Sequence, residues 1–208
     1  MKKYIYLFFA VFMIVFNVQG QDEDPLYTRA GFKLGLNYSN LTGDIDNADA
    51  RTRIHLGAVI EFPISQRFYI QTEVLYSAQG FTIDENGEEN KISLNYLSLP
   101  VLTKFYFTPK FSFETGPRLS TLASSSRSIG DEDTEDEFFE AFNDVDFSWM
   151  IGAGYKAESG MFFQLNYGLG LSNVSNIDGI NNTNSLLQLS IGYLFKTKNN
   201  RRQEPISQ

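Results

Sequence analysis

The sequence predicts an all-β fold: an eight-stranded, antiparallel, up-and-down transmembrane β-barrel. Three observations carry this reading. Eight stretches alternate apolar and polar residues with a period of two, as strands with two different faces do. Their connections alternate between short and long, the pattern of membrane barrels. Aromatic residues, 15% of the chain, gather on the apolar face towards one end of the strands, as at a membrane boundary.

The first segment sets Phe32, Leu34, Leu36 and Tyr38 against Lys33, Gly35 and Asn37. The second sets Ile54, Leu56, Ala58, Ile60 and Phe62 against Arg53, His55, Gly57 and Glu61. In the third, Phe68, Ile70, Val74 and Tyr76 oppose Gln71, Glu73, Ser77 and Gln79. The fourth gives Leu97, Leu99, Val101, Phe105 and Phe107 a face opposite Ser98, Pro100 and Lys104. The fifth opposes Phe111, Phe113 and Leu119 to Ser112, Glu114, Gly116, Arg118 and Ser120. Phe147, Trp149, Ile151 and Tyr155 face away from Ser148, Gly152, Gly154 and Lys156 in the sixth. The seventh separates Met161, Phe163, Leu165, Tyr167 and Leu169 from Gln164, Asn166, Gly168 and Gly170. The eighth separates Leu187, Leu189, Ile191, Tyr193 and Phe195 from Gln188, Ser190 and Gly192. An even strand count suits a bacterial single-chain barrel, and about ten residues tilted by roughly 45° cross the apolar band.

Ser65-Gln66, Thr108-Pro109-Lys110 and Glu158-Ser159-Gly160 read as tight turns. Residues 41–52, 82–90, 124–144 and 173–184 read as long polar loops. With the N-terminus in the periplasm, the short turns are periplasmic and the long loops extracellular. The periplasmic strand ends then carry Phe32, Phe62, Phe68, Phe105, Phe107, Phe111, Phe113, Tyr155, Phe163, Tyr193 and Phe195, all on the apolar face. Tyr38, Tyr76, Phe147 and Trp149 mark the opposite rim. The competing fold is a soluble eight-stranded barrel with its apolar face turned inward around a ligand. The polar face argues against it, being rich in Gly and Ser rather than in a dense coat of charge.

Residues 1–20 read as a signal peptide: Lys2 and Lys3, an apolar run from Tyr4 to Phe16, then Val18 and Gly20 before a cleavage point at Gln21. Residues 21–30 read as a periplasmic segment, 31–195 as the barrel, and 196–208 as a polar periplasmic tail. Losing residues 1–20 removes two lysines and no acid, taking the net charge from −8 to −10. That balance argues against a nucleic-acid partner. The chain has no cysteine, which excludes disulfides and thiolate metal sites, and its single histidine, His55, is poor provision for zinc. No cofactor is expected. The mildly negative mean hydropathy fits a barrel whose strands are half polar.

Four stretches resemble the PorT-like outer-membrane β-barrel family of Bacteroidetes, often labelled "porin family". They are Gly31-Phe-Lys-Leu-Gly-Leu-Asn-Tyr-Ser39, Phe68-Tyr-Ile-Gln-Thr-Glu-Val-Leu-Tyr76, Tyr96-Leu-Ser-Leu-Pro-Val-Leu-Thr-Lys104 and Gly152-Ala-Gly-Tyr155. The resemblance spans most of residues 28–196. It implies the barrel fold and a place in the cell outer membrane, with the lipid bilayer as the first partner. It supplies no specific activity. One departure is that Phe195, the last aromatic residue of the final strand, is followed by a polar tail.

The inward face carries Lys33, Arg53, Glu61, Glu73, Lys104, Glu114, Arg118 and Lys156. An eight-stranded barrel has an interior just wide enough for side chains, so these charges are expected to pair and fill the lumen rather than line a channel. The third long loop is strongly acidic, with Asp131, Glu132, Asp133, Glu135, Asp136, Glu137, Glu140 and Asp144. Its spacing fits no EF-hand, and it reads as a solvated loop rather than a calcium site. Within it Phe138, Phe139 and Phe142 lie on one side of a helical turn, placed either to dock on the barrel rim or to meet a partner. No Gly-x-Ser-x-Gly elbow occurs. The expected function is therefore a small, closed-lumen barrel with a structural or surface-interaction role, without enzyme activity. The alternatives are a component of an outer-membrane secretion or transport machine, and an outer-membrane enzyme using His55.

Overall fold

A computed structural model describes residues 26–45, 48–85, 88–129, 132–135, 142–177 and 179–196. The strands are β1 (Arg29–Gly43), β2 (Ala48–Pro63), β3 (Phe68–Glu85), β4 (Glu88–Tyr106), β5 (Phe111–Ile129), β6 (Glu132–Glu135), β7 (Val145–Lys156), β8 (Met161–Gly170) and β9 (Asn182–Lys196). Each ring strand pairs antiparallel with its neighbours, β5 passes on to β7, and β1 meets β9 from Arg29↔Lys196 to Gly43↔Asn182. The ring is therefore closed by eight strands. The ninth, β6, lies outside it against the far end of β5, from Ser126↔Glu135 to Ile129↔Glu132. Closure removes both sheet edges, so the wall carries no row of unpaired backbone groups into lipid.

The alternation read from the sequence sets the two faces. Leu36, Leu97 and Leu165 point outward and are 49%, 50% and 51% exposed, while Lys33, Glu61 and Glu114 point inward at 1% or less. A soluble barrel would have these the other way round, so the apolar face is the outer wall. Around the short-turn end the outward aromatics touch in series: Phe32 and Phe195 (6.1 Å between ring centroids), Tyr193 and Phe195 (4.7 Å), Phe68 and Phe105 (4.9 Å). Phe111 continues the belt to Phe107 and to Tyr155, and Tyr155 to Phe163.

The short turns are as expected, linking β2 to β3 over 64–67, β4 to β5 over 107–110 and β7 to β8 over 157–160. Gly160 has φ +98°, a backbone region that favours glycine. The exposed Lys110 ammonium pairs with Glu158 of the neighbouring turn at 3.0 Å, and this hydrogen bond holds it above its ordinary pKa.

The long connections need correction. Much of 41–52, 82–90 and 124–144 is strand: β3, β4 and β5 run to 18, 19 and 19 residues, whereas a bilayer crossing takes about 9–11. These strands rise past the lipid because their extensions carry apolar residues on the inward phase. Phe81 pairs with Ile92 across the β3–β4 hairpin, and Leu94 with Gln79. The ring also begins at Arg29, two residues before the expected boundary, and ends at Lys196. The expected signal peptide and most of the expected tail lie outside the described residues. Among the described residues no helix is long and apolar enough to cross a membrane, which says nothing of strands.

Candidate functional site

The inward residues divide into a charged layer, a glycine-lined middle and an apolar cap. The charged layer sits at the short-turn end. The Glu61 carboxylate, fully buried, meets Arg29 Nη1 at 2.5 Å, Lys104 Nζ at 3.2 Å and Lys156 Nζ at 3.5 Å. It also accepts the Tyr106 hydroxyl at 2.9 Å. Lys104 Nζ reaches on to Glu114 at 3.0 Å and donates to Gln71 Oε1 at 2.9 Å. Gln164 Nε2 donates to the other Glu114 oxygen at 2.7 Å, and Ser112 Oγ to the first at 3.0 Å. Lys33 pairs with Glu73 at 2.6 Å, and Gln71 donates to Glu73, joining this pair to the rest. Tyr69 and Tyr106 pack edge to face at 5.2 Å, with Lys156 Nζ 4.3 Å from the Tyr106 ring centre and Arg29 5.2 Å from that of Tyr69. Both contacts are within cation–π range.

Six of the eight charged positions singled out in the sequence thus meet in one network: Lys33, Glu61, Glu73, Lys104, Glu114 and Lys156. Arg118 lies further up the lumen. Its Nε donates to Ser148 Oγ at 2.9 Å and its Nη2 faces Asp146 at 3.6 Å. Arg53 is the exception. It stands where the β2–β3 register shifts between Ala50 and His55, is half-buried, and donates to the Gln79 carbonyl at 3.1 Å instead of pairing with a carboxylate. The network also includes residues the sequence reading omitted: Arg29, which lay before the expected barrel, and Tyr69 and Tyr106. The two tyrosines occupy the inward phase of β3 and β4, and that phase was the signal for them.

Glycines make room for the large inward groups. A Cβ on Gly154 would lie 2.2 Å from Glu114 Oε1, and one on Gly192 would lie 2.4 Å from the Phe162 ring. Phe162 packs with Val59 and Leu194, filling the lumen beside the charged layer. His55 lies in the middle zone, its Nε2 2.9 Å from Ser190 Oγ, and both residues are buried. Above them Asn37 links Ser77, the Ala78 carbonyl and Gln188 across three strands.

At the long-loop end the inward positions become apolar. Leu41, Phe81, Ile92, Leu94, Tyr96, Leu122, Phe142 and Val174 form one buried cluster. Phe142 reaches it from the third loop, edge-on to Phe81 at 6.4 Å, anchored by a bridge to Ser175 and by Asn143 Nδ2 donating to the Asn173 and Ser175 carbonyls. Phe138 and Phe139 lie outside the described residues. Among the described residues no group of three or more His, Cys, Asp or Glu side chains is placed to hold a metal ion.

The sequence matches the family model described as "Outer membrane protein beta-barrel domain" over residues 19–176. No curated protein matches it. Among solved structures the barrel is similar to Ail, the attachment invasion locus protein of Yersinia pestis, with TM-score 0.53, 12% identity and coverage of 82% of this chain and 100% of that one. It is also similar to Neisserial surface protein A, with TM-score 0.56, 10% identity and coverage of 80% and 97%. At these identities the likeness is one of fold. The family match, the closed ring and the outward apolar wall agree: the chain belongs to the outer membrane protein β-barrel domain family and resides in the outer membrane with that wall against lipid.

Proposed function

We propose that this protein is a closed barrel that acts through its surface-exposed end rather than through a pore, in a structural or surface-interaction role. The observation that carries the reading is the double obstruction of the lumen, by the Glu61 network at one end and the apolar cap at the other. An ion entering would have to break buried pairs and then cross a buried cluster whose one polar side-chain group is the Tyr96 hydroxyl. The proposed orientation puts the short turns in the periplasm and the long-loop end outside, after removal of residues 1–20 on export. The proposal includes no enzyme activity: His55 and Ser190 face each other inside the packed lumen, and both are buried.

Planar-bilayer recordings of the refolded mature protein test the closed lumen. No stable open channel is expected, and large reproducible single-channel steps would refute it. Protease added to whole cells tests orientation, with cleavage in the long loops expected and cleavage of a tag after Gln208 the contrary result.

The motifs from Gly31 to Tyr155 support a finer reading, in which the chain joins the PorT-like barrels of Bacteroidetes as a component of an outer-membrane secretion machine. Reproducible co-purification of one partner complex from intact outer membranes supports that reading. Recovery of the barrel alone after mild crosslinking counts against it.

A further inference from the structure

Between the Glu61 layer and the apolar cap the lumen is lined largely by small residues. Ser98 on β4, Gly116 and Ser120 on β5, Ser148 and Gly152 on β7, and Gly168 on β8 occupy the inward phase there. An eight-stranded barrel has an interior that full-sized side chains just fill, so a run of Gly and Ser leaves room. Into that room project polar groups whose hydrogen bonds the protein does not complete. Arg118 is 1% exposed and Asp146 0%. Arg118 Nε donates to Ser148, and one Asp146 oxygen accepts the Ser172 hydroxyl. Among the described residues Arg118 Nη1 and Nη2, Asp146 Oδ2 and the buried Tyr96 hydroxyl make no hydrogen bond. Nη2 and Oδ2 stand 3.6 Å apart, beyond the usual reach of an N–H···O bond. The Tyr96 hydroxyl lies within electrostatic reach of both charges. Ser98 and Ser120 bond to each other at 2.8 Å rather than to this group. Asn166, the next inward residue after Gln164 on β8, has both carboxamide atoms unbonded, with Oδ1 held over Gly152.

A buried polar group left unbonded costs more than a made bond gains, so several such groups gathered in one place call for a ligand. Its chemistry follows from theirs. The Arg118 guanidinium needs an acceptor and Asp146 Oδ2 needs a donor, while the Tyr96 hydroxyl and the Asn166 carboxamide serve as either. One cation faces one anion, so the zone favours neither an anion nor a cation. The smallest neutral species that both donates and accepts is water, and a buried water takes about two to four polar partners. A polar contact longer than a hydrogen bond is also where a bridging water belongs. We infer that the middle of the lumen is a built water site. Ordered waters bridge the Arg118 guanidinium to Asp146 Oδ2 and the Tyr96 hydroxyl, and a further water serves Asn166. The site does not depend on whether the lumen conducts, since the same groups require hydration in an open barrel.

The test is a crystal structure of the full mature barrel, grown in sodium bromide and at a resolution that shows ordered water. Ordered water within hydrogen-bonding distance of both Arg118 Nη1 and Asp146 Oδ2 is expected, with no anomalous bromide peak beside them. A bromide peak at the guanidinium overturns the assignment in favour of an anion. Direct protein bonds to Nη1, Oδ2 and the Tyr96 hydroxyl, with no water between them, overturn the site. Tyr96→Phe supplies a second readout that needs no crystal. It removes only the hydroxyl, and heat-modifiable gel mobility checks that the barrel still folds. With that hydroxyl bonded to water, its loss should raise the unfolding equilibrium constant in urea about fivefold, the value of one net hydrogen bond. An unchanged or lowered constant would show the hydroxyl to be dry and unbonded, and that result also overturns the site.

Discussion

Replacing Glu61 with Gln removes the one carboxylate shared by three cations. In the wild type Arg29, Lys104 and Lys156 face Glu61, and Glu114 is the second acid of that group. Two acids then serve three cations; after Glu61→Gln only one does. Breaking a buried pair by removing one partner costs roughly 3–5 kcal/mol. The structure points to the low end. Arg29 and Lys156 have side chains 17% and 13% exposed at the mouth and can regain water. Lys104 is 3% exposed but keeps Glu114 at 3.0 Å and Gln71 at 2.9 Å. Gln also retains an oxygen for the Tyr106 hydroxyl. The expected loss is about 3 kcal/mol. Urea unfolding in lipid vesicles, followed by the single tryptophan, Trp149 on the outer wall, measures it. Adding Lys156→Met should recover on the order of 1 kcal/mol, because it removes one of the unbalanced charges. A loss under about 1 kcal/mol for Glu61→Gln would mean that water already screens this layer, and the case for a sealed lumen at that end would fail.

Two further substitutions probe the packing. Gly192→Ala drives a Cβ to 2.4 Å from both the Phe162 ring and the Phe32 carbonyl oxygen, and Phe162 is 2% exposed with no room to swing away. It should cost about 1–3 kcal/mol in the same unfolding assay, and a neutral result would show that the lumen there is loose. Phe142→Ala removes the side chain that the third loop contributes to the apolar cap. It should destabilise the long-loop end by about 3 kcal/mol and raise hydrogen exchange at Phe81 and Ile92 while leaving the Glu61 layer protected. Uniform loss of protection along the barrel would contradict this division into separate seals.

Most of the wall was legible in the sequence because period two survives in the ring strands, so the apolar phase of each could be assigned outward, while Val59, Phe162 and Leu194 are apolar residues on the inward phase. The interior was harder. The six charges that meet could be named from phase, but not their pairing, because pairing depends on the register between strands. That register shifts between Ala50 and His55 on β2, and between Asn95 and Tyr96 on β4. The first shift falls beside Arg53, the one expected member that joins no carboxylate. The apolar cap was illegible for another reason. The outward face was taken as the apolar one, and Phe81, Ile92 and Leu94, flanking the expected 82–90 loop, were given no face at all. Their phase, shared with Gln79 and Ser98, held the answer.

The inversion along β3 follows from a change of solvent, not of backbone. Between Phe68 and Tyr76 the outside of the wall is hydrocarbon, so Phe68, Val74 and Tyr76 face out and Gln71, Glu73 and Ser77 find partners inside. Beyond Gly80 the pleat continues, but the outside is water. Asp84 is now exposed and Phe81 is buried at 2%. One strand thus obeys the membrane rule and then the soluble rule, and the switch lies near the height of the outward Tyr76. The two seals differ in kind as a result. The Glu61 layer holds because water is kept from its charges, whereas the cap holds because water surrounds it and drives Phe81, Ile92 and Phe142 together. In the proposed orientation the exterior end is therefore the one closed by apolar packing and the periplasmic end the one closed by ion pairs, so each seal is built from the interaction that its own surroundings strengthen.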